Sequence, residues 1–218
     1  MGAGVIGRAL GAVAKDLRIE MQSLIVPPGV EYKIGGSVQE QADSFKDLFT
    51  AMMMGVLLVY LVMAAQFESL IDPFIIMFSI PFAIVGVVWA LLLTGTILSI
   101  NAFIGLIMLV GIVVNNGIVL IDYTNLMRAR GLSVSEAVVV SGRRRLRPVL
   151  MTALTTIFGL LPLALSTSEG SESWVPLGVT VIGGLFASTV ITLVFVPTLY
   201  SIFEEKLKGK RLFRELED

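Results

Sequence analysis

The segment "GIVVNNGIVLID", residues 111–122, places two adjacent asparagines and an aspartate in a long apolar run. Burying an unpaired carboxamide in an apolar medium costs roughly 2–7 kcal/mol, depending on the reference state. On a helix, Asn115 shares a face with Gly111 and Asp122, while Asn116 points to a neighbouring stripe. The residues alone leave two interpretations open, namely interhelical hydrogen bonding and a polar cluster on an ion or proton path. Because asparagine does not titrate, it can at most position a proton carrier.

The composition excludes several kinds of chemistry. The chain has no Cys, which excludes a disulfide framework, a thiol catalyst and a thiolate metal site. It also has no His, which removes imidazole acid–base catalysis and the commonest metal ligand. We therefore expect no covalent catalysis, no metal site and no cofactor, and nothing in the sequence indicates a nucleic-acid partner.

The distribution of apolar residues predicts an integral membrane protein. Apolar residues make up 56% of the 218 residues and charged residues only 15%, whereas soluble domains carry about 25% charged residues. A helix needs about 20 apolar residues to cross a bilayer. Five blocks of such length predict an all-α membrane protein, with helices near 48–66, 72–94, 98–126, 148–166 and 174–203. Three prolines lie inside these blocks and are expected to kink them: Pro81, Pro162 and Pro197.

The two ends of the chain are soluble in character. Residues 1–47 contain a helical pattern, then "VPPGVEYKIGG", which indicates a turn leading into a short strand, and then "SVQEQADSFKDL", which is typical of a helix start. Residues 204–218 form a charged tail. The sequence therefore predicts three parts: residues 1–47, a helix bundle over 48–203 and the tail.

The basic residues predict the orientation of the helices. They fall into three groups: five before the first block, six arginines between the third and fourth blocks, and five in the tail. The positive-inside rule places residues 127–147 and the tail in the cytoplasm, so five crossings put residues 1–47 outside. Export of residues 1–47 needs a targeting segment, and no apolar h-region precedes Phe49. We therefore expect this chain to be the C-terminal piece of a longer polypeptide.

Two further patterns suggest specific contacts. Gly86 with Ala90, and Gly184 with Ser188, are pairs of small residues that let helices approach closely. The cluster "GRRRLRPVL" could bind anionic lipid headgroups or anchor the topology. In this cluster Arg145 and Arg147 come just before a helix start that we expect at Pro148. That helix presents three threonines: Thr152, Thr155 and Thr156.

Several long motifs, in the same order, resemble the C-terminal membrane half of a resistance-nodulation-division (RND) efflux transporter. They include "PPGVEYKIGGSVQEQADSF", "MAAQFESLIDPFIIMFSIPFAIVG", "GLIMLVGIVVNNGIVLIDYTN", "RRRLRPVLMTALTTIFGLLPLAL" and "GVTVIGGLFASTVITLVFVPTLY". The nearest branch is the hydrophobe/amphiphile branch of AcrB-like multidrug pumps. The resemblance covers nearly the whole chain.

The resemblance implies a fold and an assembly. Members of this family are homotrimers, and each protomer has twelve membrane helices in two six-helix repeats with large periplasmic insertions. The chain would hold the last five helices, and residues 1–47 would be a short α+β remnant of a periplasmic porter subdomain. Expected partners are membrane lipids, the missing N-terminal half and, in a Gram-negative cell, a periplasmic adaptor and an outer-membrane channel. The expected location is the bacterial inner membrane, with the N-terminus periplasmic and the C-terminus cytoplasmic.

The resemblance also implies a function. The chain would be part of a proton/drug antiporter that exports amphiphilic drugs or other hydrophobic compounds, with no enzymatic activity. Two alternatives stay open: a lipid- or protein-translocating relative in the same superfamily, and an inactive truncated fragment or partner subunit. The porter insertion would discriminate the first alternative, and a start codon and upstream helices in the genomic context would discriminate the second.

Four residues correspond to the family's proton relay or lie beside it. Asn115 stands where the family has its relay lysine, which is a departure from the pattern, and Asn116 follows it. Arg145 and Thr152 match the relay arginine and threonine. Asp122 is a further candidate. The family's essential aspartates lie on a helix that this chain does not contain, so we expect Asn115 and Asn116 to find their polar partners there.

Overall fold

The computed structural model describes residues 36–168 and 170–215, together with a few positions between 13 and 21. The helices are α1 (Ser37–Phe67), α2 (Ile71–Met77), α3 (Ser79–Thr94), α4 (Ile100–Ala129), α5 (Val134–Ala164) and α6 (Val175–Glu215), with a 3₁₀ turn at Ser171–Ser173. Side chains are described as far as Glu204.

Five helical segments are long and apolar enough to cross a membrane, with α2 and α3 together forming one of them. The described residues contain no strand. The predicted all-α membrane fold is therefore confirmed. The short strand predicted within residues 26–36 falls almost wholly outside the described residues, which begin again with a turn at Gly36.

The chain divides into two units, residues 1–51 and 52–218. In the first unit, α1 begins at Ser37, earlier than the apolar block at 48, because a polar helical turn precedes the block. Local side-chain bonds stabilise this polar segment: the Gln39 amide donates to Asp43 at 3.1 Å, and the Ser44 hydroxyl donates to the Glu40 carbonyl at 2.8 Å. Such pairs four residues apart stabilise a helix without tertiary contacts.

In the second unit, the span that follows α1 is broken at Phe78, between α2 and α3. Pro81, which we expected to kink this span, lies three residues later and has no N–H to donate to the carbonyl of Met77. The Ser79 hydroxyl donates to the Ile76 carbonyl at 2.6 Å, so one backbone acceptor near the break keeps a partner. The α2 segment is thus a half-helix of seven residues that can be held separately from α3.

Helix α5 begins at Val134, fourteen residues before the start that we expected at Pro148, so that expectation is wrong. The reason is a capping box: the Ser133 hydroxyl accepts from the Glu136 amide at 3.3 Å, and the Glu136 carboxylate accepts from the Ser133 amide at 3.1 Å. The helix continues through Pro148 and Pro162, as α6 does through Pro197. The arginine cluster therefore lies on a helix and not in a loop.

Helix α6 lies at the centre of the second unit and contacts α2, α3, α4 and α5. Glycines allow this close approach. A Cβ built on Gly86 of α3 would overlap the Ala187 side chain and lie 2.9 Å from the Gly183 carbonyl oxygen, and one built on Gly184 would overlap Leu109 of α4. The packing interpretation of the small-residue pairs is confirmed for Gly86 and Gly184.

Replacement of Gly86 by Ala should lower the stability of the chain in detergent by about 1–3 kcal/mol, because the added methyl group overpacks the contact with α6. The matched control is Gly159→Ala on α5, where an added Cβ meets nothing within 4 Å. The measurement is thermal unfolding followed by circular dichroism. Equal melting temperatures for the two variants would contradict the close α3–α6 contact.

Candidate coupling site

The two adjacent asparagines lie in different surroundings. Asn116 is 5% exposed, whereas Asn115 is exposed. The Asn116 side-chain oxygen lies 3.4 Å from the Thr152 hydroxyl of α5, which also donates to the Val149 carbonyl at 2.9 Å. The shorter distance makes the bond to Val149 the stronger one, so the contact with Asn116 is a shared, weak hydrogen bond. It is nevertheless a polar contact between α4 and α5 inside the bundle.

Asn115 lies on the face that helical spacing predicted. Gly111, Asn115 and Asp122 are all exposed in this chain. A Cβ built on Gly111 meets nothing within 4 Å, so the surface beside Asn115 is open to a further helix. The carboxamide of Asn116 is therefore covered by α5, whereas no described residue of the chain covers the carboxamide of Asn115.

Arg145 is half-buried on α5 and contacts α4. Its guanidinium lies over the Tyr123 ring at 4.6 Å from the centroid, which is a cation–π distance. Its buried Nε has no hydrogen-bond partner among the residues that the structure describes. Tyr123 lies seven residues after Asn116 and therefore on the same face of α4, so the stacking places the arginine on the face that α5 covers and not on the exposed Asn115 face. Sequence reasoning missed Tyr123, because nothing in the spacing pairs an aromatic residue with an arginine on another helix.

One expectation about partners needs correction. We expected Asn116, like Asn115, to be satisfied by a helix outside the chain. Instead Thr152 contacts Asn116, because α4 turns that carboxamide towards α5. The carboxamide of Asn115, in contrast, is covered by none of the residues that the structure describes.

Asn115, Asn116, Thr152 and Arg145 can orient a neighbouring charge or a water molecule but cannot carry a proton, so Asp122 is the one ionisable acid among the candidate residues. Asparagine and threonine do not titrate in the physiological range, and arginine stays protonated. Within the described residues, no group of three or more His, Cys, Asp or Glu side chains could hold a metal ion. The arrangement is therefore suited to positioning and electrostatics.

Residues 2–204 match the family model described as the AcrB/AcrD/AcrF family. The chain belongs to this family of RND transporters. Its members are transporters and not enzymes, and this one is a multi-pass membrane protein with five candidate spans.

Individual members of the family are similar over nearly the whole chain. The chain is 44% identical to the swarming motility protein SwrC of Bacillus subtilis over 200 residues, covering 91% of this chain and 19% of that protein. It is 35% identical over 199 residues to the multidrug resistance protein MdtC of Proteus mirabilis, covering 91% of this chain and 19% of that protein. Its fold matches the crystal structure of a heavy metal efflux pump with a TM-score of 0.81 and 32% identity, covering 93% of this chain and 20% of that chain. The chain thus spans about a fifth of the length of the relatives it matches.

Replacement of Asn116 by Ala should lower the stability of the chain by about 1 kcal/mol, the usual scale for an interhelical side-chain hydrogen bond in a membrane protein. Asn115→Ala, one residue away and of identical chemistry, should leave the stability almost unchanged because its carboxamide is exposed. Unfolding in mixed detergent micelles measures both. A larger loss for Asn115→Ala than for Asn116→Ala would contradict this site geometry.

Proposed function

We propose that this chain is the C-terminal membrane part of a proton-driven RND efflux pump that exports amphiphilic drugs or other hydrophobic compounds. The observation that carries the proposal is the separation of the two asparagines. Asn116 is buried and contacts Thr152 of α5, while Asn115 is exposed on the same face of α4 as Asp122. A polar strip left open on an apolar helix is costly in lipid, which supports a further helix of the transporter as its cover.

In this proposal the chain positions the relay, and carboxylates elsewhere in the transporter carry the proton. Asn115 stands where a relay lysine is expected, so it supplies a hydrogen bond but no charge. Arg145, stacked on Tyr123 of α4, supplies a positive charge from α5 on the face of α4 next to the one that carries Asn115. A cation near a carboxylate favours its ionised form. Protonation would then change the attraction between the repeats and drive their rocking motion.

The arginines also support the proposed orientation. Arg143, Arg144 and Arg147 are exposed on the N-terminal part of α5. Arg130 is exposed on the short connection that precedes α5. A concentration of exposed arginines at one end of the bundle favours placement of that end in the cytoplasm. On this basis residues 1–47 are periplasmic and the tail cytoplasmic, in the bacterial inner membrane. The assembly we propose is a homotrimer that joins an adaptor and an outer-membrane channel in Gram-negative cells.

A second candidate substrate class is heavy-metal cations, because the fold matches a heavy metal efflux pump as well as resembling multidrug pumps. The discriminating experiment is accumulation of an amphiphilic dye and of divalent zinc in cells that produce the transporter carrying this chain, with and without a protonophore. Dye accumulation that rises when the protonophore collapses the proton gradient supports the drug proposal. Protonophore-sensitive export of zinc alone would replace it.

Single cysteines at positions 40 and 135 should report the orientation, because the chain has no cysteine of its own. Glu40→Cys should react with a membrane-impermeant thiol reagent added outside the cytoplasmic membrane, since it is exposed on the polar turns of α1 that precede the apolar block beginning at residue 48. Ser135→Cys should react only after the membrane is permeabilised. The reverse pattern would refute the proposed topology.

Arg145→Ala should reduce efflux several-fold in the complete transporter, because the substitution removes the positive charge that is stacked on Tyr123 of α4. Arg143→Ala, an exposed arginine on the same helix, should have little effect. Thr152→Ala should impair efflux more than Thr155→Ala, because Thr152 contacts Asn116 of α4. Dye efflux at matched expression is the measurement, and equal efflux for the two arginine variants would favour a mere topology anchor.

The chain alone in liposomes should not transport.

A further inference from the structure

A second polar group, unrelated to the relay positions, joins three helices at one end of the bundle. The Asn125 amide of α4 donates to the Asp72 carboxylate of α2 at 2.8 Å, and the Tyr200 hydroxyl of α6 donates to the Asn125 side-chain oxygen at 2.6 Å. Arg128 of α4 donates to the Tyr200 hydroxyl at 3.0 Å and pairs with the Glu204 carboxylate of α6 at 2.8 Å. These five side chains form one continuous network.

The network is enclosed by protein at its centre. Tyr200 is fully buried and Asp72 is 7% exposed, while Arg128 and Glu204 are 27% and 22% exposed at its edge. A buried carboxylate or hydroxyl is costly unless it is hydrogen-bonded. Each bond therefore matters because losing one partner would leave another buried polar group unpaired.

Asn125 determines the direction of the central bonds. Its NH₂ group faces a carboxylate that can only accept, and its oxygen faces a hydroxyl that donates. Turning the carboxamide over would place its oxygen against the Asp72 oxygen, which is repulsive. One orientation of the amide is thus strongly favoured, and with it one placement of α4 between α2 and α6.

The network does not conduct protons from end to end. The carboxamide of Asn125 and the guanidinium of Arg128 do not exchange protons in the physiological range. They interrupt any path between the carboxylates of Asp72 and Glu204. The bonds of the network therefore fix the relative positions of the helices and do not transfer protons.

We propose that Asp72, Asn125, Arg128, Tyr200 and Glu204 form a clamp that fixes the rotation of α4 relative to α2 and α6. The half-helix α2 is separated from α3 by the break at Phe78. Its buried Ile76 packs against Gly117 of α4, and the directional bonds of the clamp add to this apolar contact. Adjacent residues on a helix differ by about 100° in direction. A rotation of α4 by that amount would turn Asn116 away from Thr152 and bring Asn115 to face Thr152 instead. The clamp lies about 13 Å further along α4 and holds Asn116 opposite Thr152. This consequence rests on the proposed coupling function.

An exchange of donor and acceptor tests the clamp with isosteric side chains. Asn125→Asp sets two carboxylates against each other, whereas the double variant Asp72→Asn with Asn125→Asp restores one donor and one acceptor and keeps the Tyr200 bond. The reporter is a single cysteine at Thr124, whose side chain is buried beside the clamp at 2% exposure. The rate of its modification by a small uncharged thiol reagent in permeabilised vesicles reports opening of α4.

We expect Asn125→Asp to accelerate the modification about tenfold, the scale of one lost bond to a charged group, and the double variant to restore the slow rate. Tyr60→Phe is the matched control, because it removes a tyrosine hydroxyl bonded to the Leu70 carbonyl at 3.1 Å, outside the clamp. If Asn125→Asp does not accumulate in the membrane, recovery of both accumulation and slow labelling in the double variant supports the clamp. Two results would overturn the clamp. One is labelling of the Asn125→Asp variant at the rate of the Tyr60→Phe control, and the other is fast labelling that persists in the double variant. The labelling rate does not depend on transport, so failure of the clamp can be distinguished from failure of the proposed function.

Discussion

No side chain separates α6 from α3 where Gly86 faces Gly183 and Gly184. Lipid tails are as apolar as leucine, so helices in a membrane associate by close packing and polar contacts. The glycines let α6 approach two neighbours at once, with Leu109 of α4 packed onto Gly184. The close approach places α6 directly beside α4, where the Tyr200 hydroxyl of α6 donates to Asn125 of α4.

The polar contacts of α4 lie on two stretches of this helix. Near the middle, Asn116 contacts Thr152 while Asn115 stays exposed. Towards the end, Asn125 joins α2 to α6 through Asp72 and Tyr200. Because both stretches lie on one rigid helix, the clamp at the end and the asparagines in the middle cannot rotate independently. In our account the helix presents one carboxamide to its own bundle and the other to the rest of the transporter.

Hydropathy was sufficient to predict the five apolar helices, and helical spacing was sufficient to place Asn115 on one face with Asp122. The partners of α4 could not be found in this way. Asp72 and Tyr200 are 53 and 75 residues from Asn125 in sequence, and only the tertiary packing brings them together. The start of α5 was available from the capping box at Ser133 and Glu136, but we gave more weight to Pro148, which a long helix can contain when neighbouring helices support it.

Cross-linking between α4 and α5 tests the rotational setting of α4 most directly. Two double-cysteine variants of this cysteine-free chain are compared in membranes under mild oxidation or with the shortest bis-thiosulfonate reagent: Asn116→Cys with Thr152→Cys, and Asn115→Cys with Thr152→Cys. The Asn116 pair should cross-link rapidly, because the side chains of these positions meet at 3.4 Å. The Asn115 pair should cross-link slowly or not at all. Faster cross-linking of the Asn115 pair would contradict the account, because it would mean that α4 presents the opposite asparagine to α5.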